Sequence, residues 1–265
     1  MIIDNHTHVY TLEKYNMYKK RMKGREFKIL SLDYFLKHEK VTLDELIAFG
    51  KKVGNLFVLA NVDMDKNISQ QLAKLEKLLK QGSILGIKLY PGYQHFYPSD
   101  KKVVPIAKLC QKYNRPLVFH NGDVYDPDGV AELKYSHPMH VDGLATYFPK
   151  CKIVISHFGF PYLLETAMVV SKNENVFTDI SGTIDSSEDG KNIPVLVKQY
   201  QADLIRVFNY YSNVKMKVMY GTDFSGDEPP LNQVEPYIDL IKKIFNSVEQ
   251  KNVLHGLAEK IYFNK

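Results

Sequence analysis

Cysteine is scarce in this chain. Two of its 265 residues are cysteine, Cys110 and Cys151. They have neither the short spacing of a zinc-binding pair nor the density of a disulfide-stapled secreted domain, so both read as core thiols in a reducing cytoplasm. Long hydrophobic runs are missing too. Nothing approaches the ~20 apolar residues of a membrane span, which removes the membrane as an expected partner. A cleavable leader is not expected, because residues 2–9 already read as a strand followed by metal-competent side chains. No low-complexity linker or abrupt change of composition divides the sequence, and residues 1–265 are read as one domain. Charge of one sign is only slightly in excess, at +5. Much of it lies in KYNMYKKRMKGREFK, residues 14–28. That run lacks the extent of a nucleic-acid surface. It reads as a solvated loop or helix face, or else as a basic cap that attracts an anionic substrate.

What the chain does have is alternation. Eight short apolar runs recur: 2–4, 27–35, 55–61, 84–90, 115–120, 152–157, 175–181 and 217–223. Continuous apolar character, without a polar residue at every second place, marks strands buried on both faces of a parallel sheet. Amphipathic stretches lie between them. Thr42 and Glu45 form a capping box ahead of an apolar face of Leu43, Leu46, Ile47 and Val53. Leu72, Leu75, Leu78 and Leu79 make another stripe, closed by Gly82. Further helices are expected near 101–113, 161–171, 194–211 and 232–246. Eight such units predict a (β/α)8 barrel, with an open doubly wound sheet as the fallback. Residues 11–40 are expected to be mostly an excursion over the C-terminal mouth of the barrel.

The polar residues then fall in register. The first run ends in His6-Thr7-His8, and side chains two apart on a strand share a face. The fifth run ends in His120, the sixth in His157 and the eighth in Asp223. In a barrel these ends converge on one mouth. Three histidines and a carboxylate around an open position make a catalytic metal site, where a divalent ion activates water. His38, His95, His137, His140 and His255 lie outside that register, although His95 and His140 follow strand ends closely enough to touch a substrate.

The ordered set NHTH, GIKLYPG, LVFHNG, ISHFG, TDISG and YGTDFSG resembles the amidohydrolase superfamily. It is most similar to the amidohydrolase-related branch, whose relatives include aminocarboxymuconate-semialdehyde decarboxylase. The resemblance implies a metal held by His6, His8, His120 and Asp223. It implies that Asp223 also takes the proton from water, and that His157 is either a catalytic acid/base or a ligand to a second ion. It further implies zinc as the cofactor, as one ion or two, with manganese or iron as alternatives. Gly256 departs from the Asn-Ala pair usual near the end of such proteins.

Lys88, amid Ile87 and Leu89, is expected to bind substrate together with Tyr90 and Tyr93. Dihydroorotases have a similar Lys-Leu-Tyr-Pro segment, which offers a second reading in which a carboxylated Lys88 bridges two ions. The chain lacks the Arg that those enzymes place two residues beyond H-x-H. The activity implied is hydrolysis of a small polar amide, lactone or ester. Non-oxidative decarboxylation at the same site is the alternative. A TatD-like deoxyribonuclease is third, because Lys88 and Gly221 stand where that family carries Glu. The expected partners are a small, anionic substrate and a second copy of the chain, not nucleic acid.

Overall fold

The apolar runs become eight parallel strands in the computed structural model, which describes residues 1–34, 40–126, 129–184, 192–226 and 234–264. They are β1 (Ile2–Thr7), β2 (Phe27–Leu32), β3 (Leu56–Asn61), β4 (Gly86–Leu89), β5 (Leu117–Phe119), β6 (Ile153–Ile155), β7 (Val176–Asp179) and β8 (Val218–Met219). Each pairs with the next, in the order β1 to β8. With helices alternating around them, they form the nearly closed (β/α)8 barrel that the alternation predicts.

Residues 11–40 are not mostly an excursion. They contain α1 (Leu12–Arg21) and all of β2. Thr11 caps α1 by accepting the N–H of Lys14, Tyr15 and Tyr18 face inward, and Lys19, Lys20 and Arg21 complement the C-terminal end of the helix dipole. The basic run is therefore a helix face. Beyond it, Lys23 and Arg25 both pair with Glu235. The connection after β2 does reach the mouth through Tyr34, whose ring lies 5.9 Å from that of His8. Residues 35–39, His38 among them, fall outside the described residues.

The other helices follow their sequence signals. α2 (Leu43–Val53) starts at the Thr42–Glu45 capping box and stops at left-handed Gly54, while α3 (Ile68–Gln81) buries Leu75 and Leu79. Next come α4 (Val104–Lys112), α5 (Leu133–Ser136), α6 (His140–Tyr147), α7 (Leu163–Lys172), α8 (Ile193–Tyr210), α9 (Val234–Ile244) and α10 (Ser247–Lys251). No described helix is long and apolar enough to cross a membrane.

Two cores result from the alternation of side chains along the strands. Ile87, Leu89, Leu117, Phe119, Ile153 and Ile155 point outward into the helix layer. Ile3, Leu30, Leu59, Val118, Val154, Phe177 and Met219 fill the barrel, and Leu257, Ala258, Ile261 and Tyr262 of the C-terminal segment pack against them. The same alternation aims Lys88, between Ile87 and Leu89, into the interior. Cys110 and Cys151 are buried free thiols.

Candidate metal centre

A break in β1 shapes the site. Its pairing with β2 slips between Asp4 and Thr7, and such a bulge re-aims the side chains that follow it. Asn5 reaches Asp179 and Tyr262 of the interior, whereas Asp4 reaches Tyr18 of α1. His6 is also turned to the interior, with Nδ1 3.4 Å from Asp179 Oδ2. Opposite lies the turn after β8, where Asp223 adopts φ +64°. This left-handed conformation is uncommon outside glycine but tolerated by Asp. Asp223 Oδ1 comes within 3.3 Å of His6 Nε2 and 3.2 Å of His8 Nε2. The three ligand atoms all lie within 4.8 Å of one another.

Hydrogen-bond partners set which nitrogen of each ring keeps its proton. The Tyr10 hydroxyl donates to the Leu32 carbonyl, so it accepts from His8 Nδ1–H at 2.7 Å. His6 Nδ1–H donates to Asp179. Both Nε2 lone pairs therefore face Asp223 Oδ1, which is buried and accepts no hydrogen bond among the described residues. Three electron-pair donors facing one another with no proton between them fit a cation. A carboxylate or hydroxyl behind each imidazole is the support that a metal-binding histidine needs.

His120 and His157 repeat the pattern. The Ser181 hydroxyl donates to Asp179 and so accepts from His157 Nδ1–H at 2.9 Å. His120 Nε2–H donates to the Asp123 carbonyl at 2.8 Å. The remaining nitrogens, His157 Nε2 and His120 Nδ1, face each other at 3.2 Å. With both rings neutral this sets lone pair against lone pair, an arrangement that calls for a cation or a proton between them. Burial keeps the rings neutral: it pushes His120 well below its ordinary pKa, lowers His157, and with Lys88 nearby brings His6 to about 3. Burial opposes ionisation of Asp179 and Asp223, but the hydrogen bond from His6 to the one, and the imidazoles of His6 and His8 beside the other, outweigh it: a proton entering the site goes to an imidazole first, and both carboxyls stay well below the usual range. Neutral imidazoles and ionised carboxylates are the states in which these groups bind metal.

The structure thus gathers His6, His8 and Asp223 tightly and sets His120 beside His157 rather than in the same trio. A second close group is His6, His157 and Asp179. His157 and Phe158 both occupy left-handed backbone conformations, at φ 60° and 50°, which is strain of the kind that collects at functional sites. Gly182 is required opposite them: at φ +69°, an added Cβ would lie 2.5 Å from His157 Nδ1.

Lys88 is fully buried, and its Nζ donates to Ser156 Oγ at 2.5 Å. Burial lowers its pKa to about 7, with Asp179 and Asp223 offsetting part of the effect. A cavity of about 240 Å³ opens over the histidines, lined by His120, His157 and Asp223 together with Tyr93, Asp123, Tyr125 and Phe160. Tyr93 and Tyr90 separate here. The Tyr93 hydroxyl stands at the cavity and accepts the Tyr125 N–H at 2.9 Å, while Tyr90 is buried and donates to the Asp33 carbonyl. Tyr93→Phe is expected to raise KM about fivefold, the equivalent of one hydrogen bond of about 1 kcal/mol. Tyr90→Phe should lower the melting temperature and leave KM alone. Steady-state kinetics and thermal melts of the two variants check this. His95 and His140 pack on Tyr135 and Tyr97, and neither is among the described residues that line the cavity.

Sequence reasoning missed Asp4, Tyr10 and Ser181, which support the site histidines and Asp223, and Ser156, which accepts from Lys88. Their one signal is a small polar or phenolic residue at the polar end of an apolar run, a pattern common to many buried strands.

An amidohydrolase family model matches residues 10–263. Solved structures share the fold over nearly the whole chain. A probable 2-pyrone-4,6-dicarboxylic acid hydrolase from Acinetobacter baumannii, with citric acid bound, has TM-score 0.70 at 15% identity and covers 98% of each chain. An amidohydrolase from Burkholderia multivorans with bound zinc has TM-score 0.68 at 13% identity, covering 99% of each. The 2,6-dihydroxybenzoate decarboxylase from Rhizobium has TM-score 0.65 at 12% identity, covering 98% of each. At such identities the likeness is one of fold. No curated protein sequence matches the chain.

Proposed function

The chain belongs to the amidohydrolase family, and from that premise we propose that it is a metal-dependent hydrolase of a small polar amide, lactone or ester. The observation that carries the reading is the inward convergence of unprotonated donors: His6 Nε2, His8 Nε2 and Asp223 Oδ1, with His120 Nδ1 and His157 Nε2 beside them. His6, His8, His120 and Asp223 would hold the ion, taken to be zinc and expected as one per chain, and His157 would stay free of it. Such an ion supplies a Lewis acid that polarises a carbonyl and acidifies water.

The chain's own groups do the rest. Asp223, kept ionised by the surrounding imidazoles, stands at the cavity wall as a proton acceptor. His157 presents an unprotonated Nε2 toward His120 and the cavity, while Ser181 and Asp179 fix its other nitrogen, so it can take a proton and return it to a leaving group. Tyr93 and Phe160 line the cavity beside these groups. The described lining residues include Asp123 and Asp223 but no lysine or arginine. A substrate carboxylate would meet no cationic side chain among these described residues, so its charge would fall to the ion itself.

Decarboxylation is the second reading, supported by the fold shared with the Rhizobium decarboxylase. A panel of lactones, N-acyl amino acids and aromatic carboxylates tests the choice. Net acid release from a lactone, or release of a free amine from an N-acyl amino acid, is the expected result. CO₂ release from an aromatic carboxylate without base uptake would replace the hydrolase by the lyase.

A further inference from the structure

The two halves of the candidate metal centre come from opposite ends of the chain, and they meet where the barrel has least backbone pairing. β8 is two residues long, and among the described residues no regular ladder joins it to β1. The seam is crossed by an isolated bridge between Thr7 and Phe224 and by backbone hydrogen bonds from Asn5 to Tyr220 (3.1 Å), Asp223 to His6 (2.8 Å) and His8 to Phe224 (2.7 Å). A site that straddles a thin seam needs something else to fix its width, since ligand atoms misplaced by a fraction of an ångström bind an ion poorly.

Asp4 occupies that position. Its side chain is fully buried on the helix side of β1. Oδ1 accepts the backbone N–H of His6 at 3.2 Å and of Thr222 at 3.1 Å. Oδ2 accepts the Thr222 hydroxyl at 2.6 Å and the Tyr18 hydroxyl at 2.9 Å. A single carboxylate therefore grips the backbone of His6 on one side of the seam and the residue before Asp223 on the other, and Tyr18 ties it to α1. We infer that Asp4 is a positioning residue: without touching ion or substrate, it sets the distance between the His6–His8 pair and Asp223 at which an ion is held.

This inference rests on the metal-centre reading. Its rival is a purely structural Asp4, whose loss would lower stability and leave the ligand spacing alone. Asp4→Asn keeps one acceptor but puts an amide where Oδ2 accepts two hydroxyls. Tyr18→Phe removes a single donor and keeps the packing of the ring. Leu75→Ala, remote on α3, serves as a destabilised control.

The measurements are Zn²⁺ affinity and the visible absorption of the Co²⁺-loaded protein. Asp4→Asn is expected to weaken Zn²⁺ binding roughly 10–100-fold, the usual effect of losing support behind a ligand, and to shift the cobalt bands. Tyr18→Phe should move both in the same direction by less, and it carries the test alone if Asp4→Asn does not fold. Leu75→Ala should melt earlier and bind both ions as the parent does. Wild-type affinity and unchanged cobalt bands in the folded Asp4 and Tyr18 variants would overturn the inference. A parent protein that binds neither ion would overturn the metal-centre reading itself, and the role of Asp4 with it.

Discussion

Asp223→Asn is expected to reduce kcat/KM roughly 10²–10⁴-fold, the range in which a positioned proton acceptor contributes. The substitution is nearly isosteric, so packing against the left-handed turn survives, but the charge goes. In the parent, Oδ1 lies 3.3 Å from His6 Nε2 and 3.2 Å from His8 Nε2 and accepts no hydrogen bond among the described residues. An amide in that place offers either a neutral oxygen, a weaker ligand, or an NH₂ that repels a cation outright. Zn²⁺ affinity should fall along with activity. Kinetics on a substrate found by the panel, together with metal titration, check both. Parent-like turnover in Asp223→Asn would remove this residue from the chemistry.

Lys88→Met should stabilise the metal-free protein near neutral pH. The Lys88 ammonium is buried inside the barrel beside Ser156 and the Tyr90 ring, and its pKa falls from 10.5 to about 7. As pH drops below 10.5, the unfolded chain takes up a proton that the folded chain refuses, so the parent loses stability. The loss accrues down to about pH 7 and levels off below it, to a total on the order of 5 kcal/mol at 1.36 kcal/mol per unit. Methionine has a similar shape and no charge, so its variant lacks this slope. It loses the bond to Ser156 Oγ, worth about 1 kcal/mol, and near pH 10.5 it should be no more stable than the parent. Urea unfolding of both proteins at pH 7 and pH 10 measures the difference. Stabilities that run parallel across that range would contradict the account of Lys88. The same variant separates the two metal readings. An unmodified Lys88 leaves the ion count unchanged on substitution, whereas a carboxylated bridge would cost an ion.

The barrel was legible because its signals are strong and repeated. Each strand is a short continuous apolar run, and caps such as Thr42–Glu45 and Gly82 punctuate the helices where the structure has them. Helix α1 was not legible, for a physical reason: its buried face is made of Tyr15 and Tyr18, so hydropathy reads as polar what the fold treats as core. His6, His8, His120, His157 and Asp223 stood out because each closes an apolar run with a group that can bind metal. Their supports did not. Asp4 and Ser181 act through hydrogen bonds that depend on the slip in β1 and the left-handed turn after β6, and neither feature has a sequence signature. The division between Tyr93 and Tyr90 is equally invisible in PGYQ and KLYP, since it depends on which ring the β4 loop turns toward the cavity.

Metal content per chain tests the central claim most directly, measured by elemental analysis on protein purified without a chelator or a metal-affinity column. The account predicts about one transition-metal ion per chain, lost on substitution of His6 and His8 together. A chain that stays metal-free after incubation with Zn²⁺ and with Mn²⁺ would contradict it.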